Sequence, residues 1–313
     1  MTRYVRCVLA DLGERLLLTD GGMETWLIFS AGFELPQFAA FPLLDDPHGV
    51  AVLREYYDSY VELARRTGAG LVLDAPTWRA SARWGELLGY GPAELDDVNR
   101  RAVALVEEIR AGAGDDVRIV IGGCVGPHAD AYTADERLDA EEALAYHRPQ
   151  IETLAQTAAD FVNALTLTHA EEAIGIARAA RAAEMPVAIS FTVETDGRFP
   201  SGQSLGDAVE EVDAATDGAV EFFMVNCAHP THFEHVLTGD GRWLERIRGV
   251  RANASAKSHA ELDESTELDA GDPAELASHY PRLRERLPNF CIAGGCCGTD
   301  DSHIAAIFEA LAV

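Results

Sequence analysis

The sequence predicts an α/β protein built as a single (β/α)8 barrel of the TIM type, with residues 1–313 forming one domain. Short apolar runs, typical of strands covered on both faces, alternate with longer amphipathic stretches almost from end to end. There are eight such runs, the number of strands that closes this kind of barrel. No linker rich in Pro, Gly or Ser interrupts the 313 residues, a length that barrels reach as one domain.

An open doubly wound sheet is the alternative architecture for this alternation of strands and helices. The sequence has no GxGxxG after the first predicted strand, and it has neither GxxxxGKS nor GxxxxGKT. These are the usual nucleotide-binding signals of such sheets. We therefore favour the closed barrel.

The predicted strands are short and mostly apolar, without alternation between polar and apolar residues. They lie at 16–19, 71–74, 118–122, 161–165, 187–192, 221–226, 249–254 and 290–294. The clearest helical patterns lie between them, at 50–68, 96–110, 140–159, 171–184 and 273–287. A last helix follows the final strand, with Asp300, Asp301 or Ser302 as its N-cap.

Polar and cysteine-bearing motifs follow several of the predicted strands. In a barrel, catalytic groups lie where strands end and the following loops begin. We therefore expect these motifs to meet at one end of the barrel. They are TDGG (19–22), DAPTW (74–78), GGCVGP (122–127), NCAHP (226–230) and GGCCG (294–298).

The composition argues against nucleic-acid and membrane partners. A formal net charge of −27 repels phosphate backbones and anionic lipid. No apolar run approaches the roughly 18 residues that a membrane helix needs, and the N-terminus has no secretory signal pattern. We expect a cytoplasmic protein that acts on small molecules.

The vicinal pair Cys296 and Cys297 is the most specific chemical signal. Adjacent cysteines hardly form an ordinary disulfide, because the intervening peptide strains its geometry. Flanking glycines let the backbone turn so that both sulfurs point at one centre, and the start of the next helix lowers thiol pKa values. Cys227, at another strand end, is the best-placed third thiolate, and three thiolates with one open position match a catalytic Zn²⁺. Redox chemistry at the vicinal pair is the alternative.

Four motifs in order along the chain resemble the homocysteine S-methyltransferase family. They are TDGGMET (19–25), PVAISFTVETDGRFPSG (186–202), NC (226–227) and AGGCCGT (293–299). The resemblance covers essentially the whole chain and implies a (β/α)8 barrel with Cys227, Cys296 and Cys297 as zinc ligands. It also implies that Asp20 and Gly21 contact the amino-acid part of the thiol substrate, and we expect Gly22 and Asn226 to line the same substrate site.

The expected reaction is methyl transfer to a thiol, with homocysteine as the default acceptor and methionine as the product. A free alkyl thiol has a pKa of about 8.5, so only a small fraction is thiolate at neutral pH. Coordination to zinc deprotonates such a thiol. By resemblance, the donor is a sulfonium such as S-methylmethionine, while betaine-type and methylfolate donors occur in the wider family.

Two departures from the family pattern bear on the substrate. Leu165 stands where the family commonly has a glutamate that holds the substrate amino group, so Glu24 or Glu194 is expected to replace it. Trp78 lies in APTWRA (75–80), where the family has a different motif. Its ring offers a π face to a sulfonium or quaternary cation, and an ordinary packing role is the alternative.

The segment HPTHFEH (229–235) is a rival metal site. On a helix, His232 and His235 would share a face, and His229 would stand behind the metal ligand Cys227, although surface or capping roles are the commoner explanation of such histidines. Cys124 is interpreted as a packing thiol, Cys7 and Cys291 have no assigned role, and 260–269 is interpreted as a solvated acidic loop.

Three further functional hypotheses stay open at this point. The departure at Leu165 favours a methyltransferase for a different small thiol or a selenol. The chain could also be a non-catalytic zinc- or thiol-binding barrel, or a redox protein that closes a disulfide between Cys296 and Cys297. The sequence does not determine the oligomeric state.

Overall fold

The computed structural model describes residues 16–132, 136–239, 241–265 and 267–312. Cys7 and the rest of the N-terminal segment lie outside them, as does Thr266 in the predicted acidic loop. The eight predicted strands are all present, with edges that differ from the prediction by at most three residues. Their bounds are β1 (Leu17–Thr19), β2 (Gly70–Asp74), β3 (Ile119–Val125), β4 (Phe161–Leu167), β5 (Val187–Phe191), β6 (Phe222–Asn226), β7 (Ile247–Ala252) and β8 (Ile292–Gly295).

The strands form one closed barrel in chain order, with β8 paired to β1. All eight pairings are parallel. Nearly every strand residue is buried, as expected when side chains fill the barrel on one face and helices cover the other. The prediction of a (β/α)8 barrel is confirmed, and the open sheet is wrong.

Helices surround the barrel and begin where the sequence supplies caps. Asp46 accepts the backbone N–H of Gly49 at the start of the first long helix, and Gly68 ends that helix at φ 70°. The helices are α1 (Met23–Phe29), α2 (Pro47–Thr67), α3 (Ala82–Leu88), α4 (Pro92–Ala113), α5 (Ala140–Leu154), α6 (Ala170–Ala182), α7 (Leu205–Thr216), α8 (Pro230–Phe233), α9 (Trp243–Arg246), α10 (His259–Asp263), α11 (Pro273–Arg286) and α12 (Asp301–Ala312).

Two details of the helix predictions are corrected or refined. The helix predicted at 140–159 ends at Leu154, because a turn follows in which Thr157 donates its hydroxyl hydrogen to the Leu154 carbonyl oxygen. Asp300 is the cap of α12, since its carboxylate accepts the backbone N–H of Ser302. Within the described ranges, no helix has the length and apolar character to cross a membrane.

The barrel interior is apolar toward the amino-terminal ends of the strands and polar toward their carboxyl ends. Inward-facing side chains of most strands form one packed apolar cluster, which closes the amino-terminal end of the barrel. The carboxyl ends of the strands carry the polar motifs instead, so these motifs surround a common cavity. The apolar cluster contains Leu17, Val72, Val120, Cys124, Phe161, Leu165, Ala188, Phe222, Met224, Cys291 and Ile292.

Candidate metal centre and active site

Three cysteine sulfurs converge at the carboxyl end of the barrel. Cys227 follows β6, and Cys296 with Cys297 follows β8. Their three Sγ atoms lie within 4.8 Å of one another, and those of Cys227 and Cys297 are 3.7 Å apart. We call this group the cysteine centre. The structure therefore brings together the three cysteines that the sequence singles out.

Strand β7 holds both cysteine-bearing turns, because it lies between β6 and β8. The backbone N–H of Cys227 donates to the Arg251 carbonyl oxygen at 3.0 Å, and that of Cys296 donates to the Ala252 carbonyl oxygen at 2.8 Å. Cys227 has a φ of 57°, a left-handed conformation that is uncommon outside glycine. Such backbone strain is typical of functional sites, and here it lies at a residue of the cysteine centre.

The glycines after β1 let the backbone approach the vicinal cysteines closely. A methyl group added at Gly22 would come within 2.5 Å of the Cys296 carbonyl oxygen. One added at Gly21 would come equally close, at 2.5 Å, to the carbonyl oxygen of Thr299. Both glycines also line the cavity. Close packing of the turn after β1 against the turn after β8 therefore explains why glycines stand at these two positions of TDGG. Substrate contact by Gly21 and Gly22 stays a prediction.

The sulfur geometry suits a tetrahedral zinc ion. With Zn–S bonds of about 2.3 Å, tetrahedral geometry places two sulfur ligands roughly 3.8 Å apart. The 3.7 Å separation of the Cys227 and Cys297 sulfurs matches this edge. Three sulfurs without a fourth protein ligand among the grouped residues are the pattern of a catalytic site, which keeps one position for a substrate. The donor set therefore fits zinc.

Among the described residues, neutral side chains and neighbouring thiols make the hydrogen bonds to the three sulfurs. Hydrogen bonds from the thiols of Cys227 and Cys297 hold the pKa of Cys296 well below its usual range. The Tyr132 hydroxyl lies 2.9 Å from Cys227 Sγ, and the Asn226 amide donates to Cys296 Sγ at 3.7 Å. These contacts orient the sulfurs, but they do not neutralise the charge of several thiolates.

Asn226 connects the cysteine centre to β4. Its Oδ1 accepts the backbone N–H of Thr166 at 2.9 Å, and its Nδ2 donates to the Thr166 hydroxyl at 2.8 Å. Thr166 has a φ of 67°, which a β-branched residue rarely adopts without such support. Because the amide already bonds Thr166 and Cys296, its position explains ligand orientation. Substrate contact by Asn226 stays a prediction.

A buried charge cluster lies in the barrel beside the cysteine centre. Arg251 on β7, only 4% exposed, donates to Asp20 Oδ1 at 2.6 Å and forms a short contact with Asp74. The amide of Asn163 donates to both oxygens of Asp74, at 2.9 and 3.0 Å. Tyr56 donates to the other oxygen of Asp20 at 3.2 Å. We call Asp20, Asp74, Asn163 and Arg251 the Arg251 cluster.

One guanidinium is paired with two carboxylates in the Arg251 cluster. Burial nevertheless raises the pKa of Asp20 to about 7, against the opposing attraction of Arg251. The predicted role of Asp20 in contacting the substrate stays a prediction, since its carboxylate lines the cavity but is already bound by Arg251 and Tyr56.

Glu24 is the cavity acid that remains without an ion-pair partner in the described part of the chain. It lies in the first turn of α1 and lines the cavity together with the cysteine centre. Burial raises the pKa of its carboxyl group to about 7. Glu194, the other candidate from the sequence, does not line this cavity. Of the two replacements predicted for the missing glutamate, the structure therefore favours Glu24.

Part of the cavity wall is apolar and aromatic. Leu165 lines the cavity, and its carbonyl oxygen accepts the indole N–H of Trp78 at 3.3 Å. The guanidinium of Arg79 lies 4.0 Å from the centre of the Trp78 ring, so a cation already occupies one face. Phe38 packs edge-on against the same ring, at 6.4 Å. Trp78 therefore packs within the wall, and cation binding on its other face stays a prediction.

The cavity lies beside the cysteine centre and is partly open to solvent. The space between its lining residues, part of which is bulk solvent, is about 580 Å³. Cys124 also lines it, while packing against the apolar cluster of the barrel interior. The prediction of a packing role for Cys124 agrees with this position.

The histidines after β6 do not form a metal site by themselves. His235 lies beyond the end of α8 at Phe233, so it does not share a helix face with His232. The ring of His232 bonds the Ala256 carbonyl oxygen at 2.9 Å instead. His229 immediately precedes α8, with its Nδ1 atom 2.8 Å from the Thr231 hydroxyl oxygen. It lies beside two side chains of α11, Glu275 and His279.

Comparison with known proteins decides the family. A sequence profile described as homocysteine S-methyltransferase matches residues 17–311, nearly the whole described chain. This chain belongs to the homocysteine S-methyltransferase family. The motifs TDGGMET, NC and AGGCCGT therefore carry a true resemblance, and the prediction of a methyltransferase is confirmed at the level of the family.

Individual relatives of this homocysteine S-methyltransferase family member agree with the profile. The homocysteine S-methyltransferase of Escherichia coli (strain K12) is 25% identical, over 93% of this chain and 94% of its own length. A methionine synthase of Mycobacterium tuberculosis is 27% identical over 99% of this chain, but the match spans only 26% of that larger protein.

Solved structures support the fold of this family member. The oxidised form of the homocysteine methyltransferase MmuM from Escherichia coli superposes with a TM-score of 0.76, at 24% identity, and covers 97% of this chain and 99% of MmuM. The metallated form of MmuM superposes with a TM-score of 0.75 at 23% identity, with the same coverage. Both are TIM-type barrels like the one described above.

Several side chains at this site are not among the sequence predictions. A charged residue within the apolar strand sequence GVRAN (249–253) was a usable signal for Arg251, because a buried guanidinium needs acidic partners. Asp74 at the end of β2 was the matching signal. Tyr132 lies in a loop and has no sequence signal of its own.

Proposed function

We propose that this chain is a zinc-dependent enzyme that transfers a methyl group from a sulfonium or betaine-type donor to homocysteine, giving methionine. The observation that carries the proposal is the convergence of three cysteine sulfurs within 4.8 Å beside a cavity that acidic and aromatic side chains also line. Family membership supports homocysteine as the default acceptor. The metallated form of MmuM, a structural neighbour, supports a metal.

Cys227, Cys296 and Cys297 would hold the zinc ion. Zinc bound there would supply the acidity that converts an acceptor thiol to a nucleophilic thiolate at neutral pH. The protein's own part is to orient the sulfurs, through Asn226 and Tyr132, and to surround the acceptor with a largely buried wall. A donor that leaves as a neutral molecule needs no proton, so no general acid is assigned.

Glu24 is proposed to bind the ammonium group of the acceptor. Asp20 and Asp74 already pair with Arg251, which leaves Glu24 as the free counter-charge. Its pKa of about 7, raised by burial, falls when a cation arrives beside it. This assignment moves the ammonium-binding acid from β4, where Leu165 stands, to α1.

Asp20, Gly21, Gly22 and Asn226 are proposed to line the amino-acid part of the acceptor site. They and Trp78 share the cavity with the cysteine centre. The remaining ring face of Trp78 is proposed to contact the cationic donor, by cation–π attraction.

A second candidate function is methyl transfer to a different small thiol or a selenol. Leu165 is the observation that favours it, since an apolar side chain lines the cavity where an ammonium-binding acid is expected. An acceptor without an amino group would need no charge at this point. The choice between the acceptors therefore rests on whether Glu24 replaces the missing acid.

The test incubates zinc-loaded protein with homocysteine and either S-methylmethionine or betaine, and measures methionine. Formation above the uncatalysed rate supports the proposal. Turnover with other thiols, but not with homocysteine, supports the second candidate. Bound zinc without turnover of any acceptor and donor pair would indicate a non-catalytic zinc-binding barrel and overturn both.

A further inference from the structure

A second group of metal-ligating side chains lies beside the loop that follows Cys227. His229 immediately precedes α8, while Glu275 and His279 lie one turn apart on α11. Their ligand atoms, one from each residue, all lie within 4.8 Å of one another. We call these three residues the histidine cluster. It shares no residue with the cysteine centre and does not line the substrate cavity.

One ligand atom of this cluster is buried and has no hydrogen-bond partner. His229 is 1% exposed, and its Nε2 makes no hydrogen bond to the rest of the described chain. The nearest carboxylate oxygen, on Glu275, is 3.5 Å away. That distance is longer than a normal hydrogen bond, and a buried polar atom without a partner destabilises the fold. A cation between the imidazole and the carboxylate would satisfy it.

Both imidazoles are held so that their Nε2 atoms face the same carboxylate. His279 Nε2 lies 3.0 Å from Glu275 Oε1, and its Nδ1 lies 3.2 Å from Glu234 Oε2. His229 Nδ1 lies 2.8 Å from the Thr231 hydroxyl. Protein metal sites commonly hold a ligating histidine in this way, with a carboxylate or another acceptor on the second nitrogen.

The surrounding charges permit a cation in this position. Arg282 is the basic side chain that the structure places against the cluster, 3.1 Å from His279 Nδ1 and 3.6 Å from Glu234 Oε2. It contacts the Nδ1 side of the ring, away from the Nε2 atoms. The side chain of Glu275 is 54% exposed, so a cation can enter from solvent and complete its coordination with water.

We propose that His229, Glu275 and His279 bind a second divalent cation of the zinc type. Two imidazoles and one carboxylate are a known ligand set for zinc, and imidazole favours zinc over magnesium or calcium. Bound there, the cation would join α8 to α11. Since α8 begins three residues after Cys227, this link would stiffen the turn that carries a residue of the cysteine centre.

The experiment measures the zinc content of the full chain after reduction, zinc loading and dialysis. We expect two zinc ions per chain, one in Glu275→Gln and two in the control Glu285→Gln, which changes an exposed acid on the same helix. Equal zinc content in the unchanged protein and Glu275→Gln would overturn the proposal. Because Glu275 is on the surface, equal melting temperatures without metal are expected for all three proteins.

A cobalt spectrum separates the two sites. Cobalt bound to thiolates gives intense near-ultraviolet charge-transfer bands, which nitrogen and oxygen ligands do not give. We expect Glu275→Gln to keep these bands and Cys227→Ala to lose them while keeping one metal ion. If Cys227→Ala changes neither the spectrum nor the metal content, the cysteine centre and the proposed function fail, whereas the Glu275→Gln result still tests the histidine cluster.

Glu234→Gln should lower the affinity for the second metal ion by about 10- to 100-fold. An unchanged affinity would show that Glu234 does not support the site.

Discussion

The cysteine centre and the Arg251 cluster lie side by side at the carboxyl end of the barrel, but they treat charge differently. In the Arg251 cluster, two carboxylates share one guanidinium, while the Asn163 amide donates to Asp74 and the Tyr56 hydroxyl donates to Asp20. In the cysteine centre, the only side chains that reach the sulfurs from outside it are the neutral Tyr132 and Asn226, within the described residues.

This difference shows which of the two groups lacks a partner of opposite charge. The carboxylates of the Arg251 cluster already have a cationic partner within the protein, and removing that partner would leave buried charges unpaired. A group of thiols that converge without compensation is a site for a cation. Glu24 belongs with the second kind, because it lines the cavity without an ion-pair partner in the part of the chain that the structure describes.

The largest expected effect comes from breaking the cysteine centre. Cys227→Ala should lose the zinc ion and reduce methionine formation to the uncatalysed rate, because two thiolates bind zinc far more weakly than three. Zinc analysis and a methyl-transfer assay measure the two losses. Cys124→Ala is the matched control, since Cys124 lines the same cavity outside the centre, and it should keep its metal. Unchanged zinc content in Cys227→Ala would contradict the comparison.

Breaking the Arg251 cluster should affect stability instead. Arg251→Met leaves two buried carboxylates without their cation, which costs about 3–5 kcal/mol of unfolding free energy. Urea unfolding measures this loss. Arg65→Met removes an exposed ion pair with Glu62 and should cost less than about 1 kcal/mol. Equal effects of the two substitutions would show that the Arg251 cluster is not a compensated structural unit.

Glu24→Gln tests the free acid of the cavity. Loss of a charged hydrogen bond to the acceptor costs about 2 kcal/mol, or roughly a 30-fold rise in KM for homocysteine. The KM for 4-mercaptobutyrate, which lacks the amino group, should not change. Glu194→Gln, outside the cavity, is the control. If Glu24→Gln weakens both acceptors equally, ammonium binding by Glu24 is wrong.

The same assignment predicts a pH dependence. Burial raises the pKa of Glu24 to about 7, so the ammonium-binding carboxylate is present above that pH and is protonated below it. The kcat/KM for homocysteine should therefore fall as the pH decreases through about 7. This decrease in kcat/KM should be absent from the pH profile of Glu24→Gln. If the decrease persists in that variant, it reports the titration of another group.

The smallest expected effect is that of Tyr132→Phe. The hydroxyl contributes a single hydrogen bond to Cys227 Sγ, at 2.9 Å. Its loss should cost about 0.5–1.5 kcal/mol, which lowers zinc affinity by no more than about tenfold. Competition with a chelator measures this change. A loss as large as that of Cys227→Ala would make Tyr132 a required part of the metal centre.

Much of the site could be predicted, because its chemistry depends on residue type and on position after a strand. Cys227, Cys296 and Cys297 stand out for both reasons, and the barrel brings all strand ends to one rim. Arg251 was harder to interpret, since a charge inside a strand indicates a partner without naming it. Glu275 and His279 could not be predicted as neighbours of His229, because a surface helix reveals nothing about the loop it covers.

The sequence by itself determined the barrel, the rim that carries the motifs and the three cysteines, because periodicity and strand order are local properties of the chain. Only the tertiary structure decided which acid is free and which is bound. Residue type alone does not distinguish the three acids Asp20, Asp74 and Glu24. They differ in the structure because Arg251, 231 positions along the chain from Asp20, pairs with Asp20 and Asp74 but not with Glu24. Charge compensation depends on distances in space, which residue order does not state.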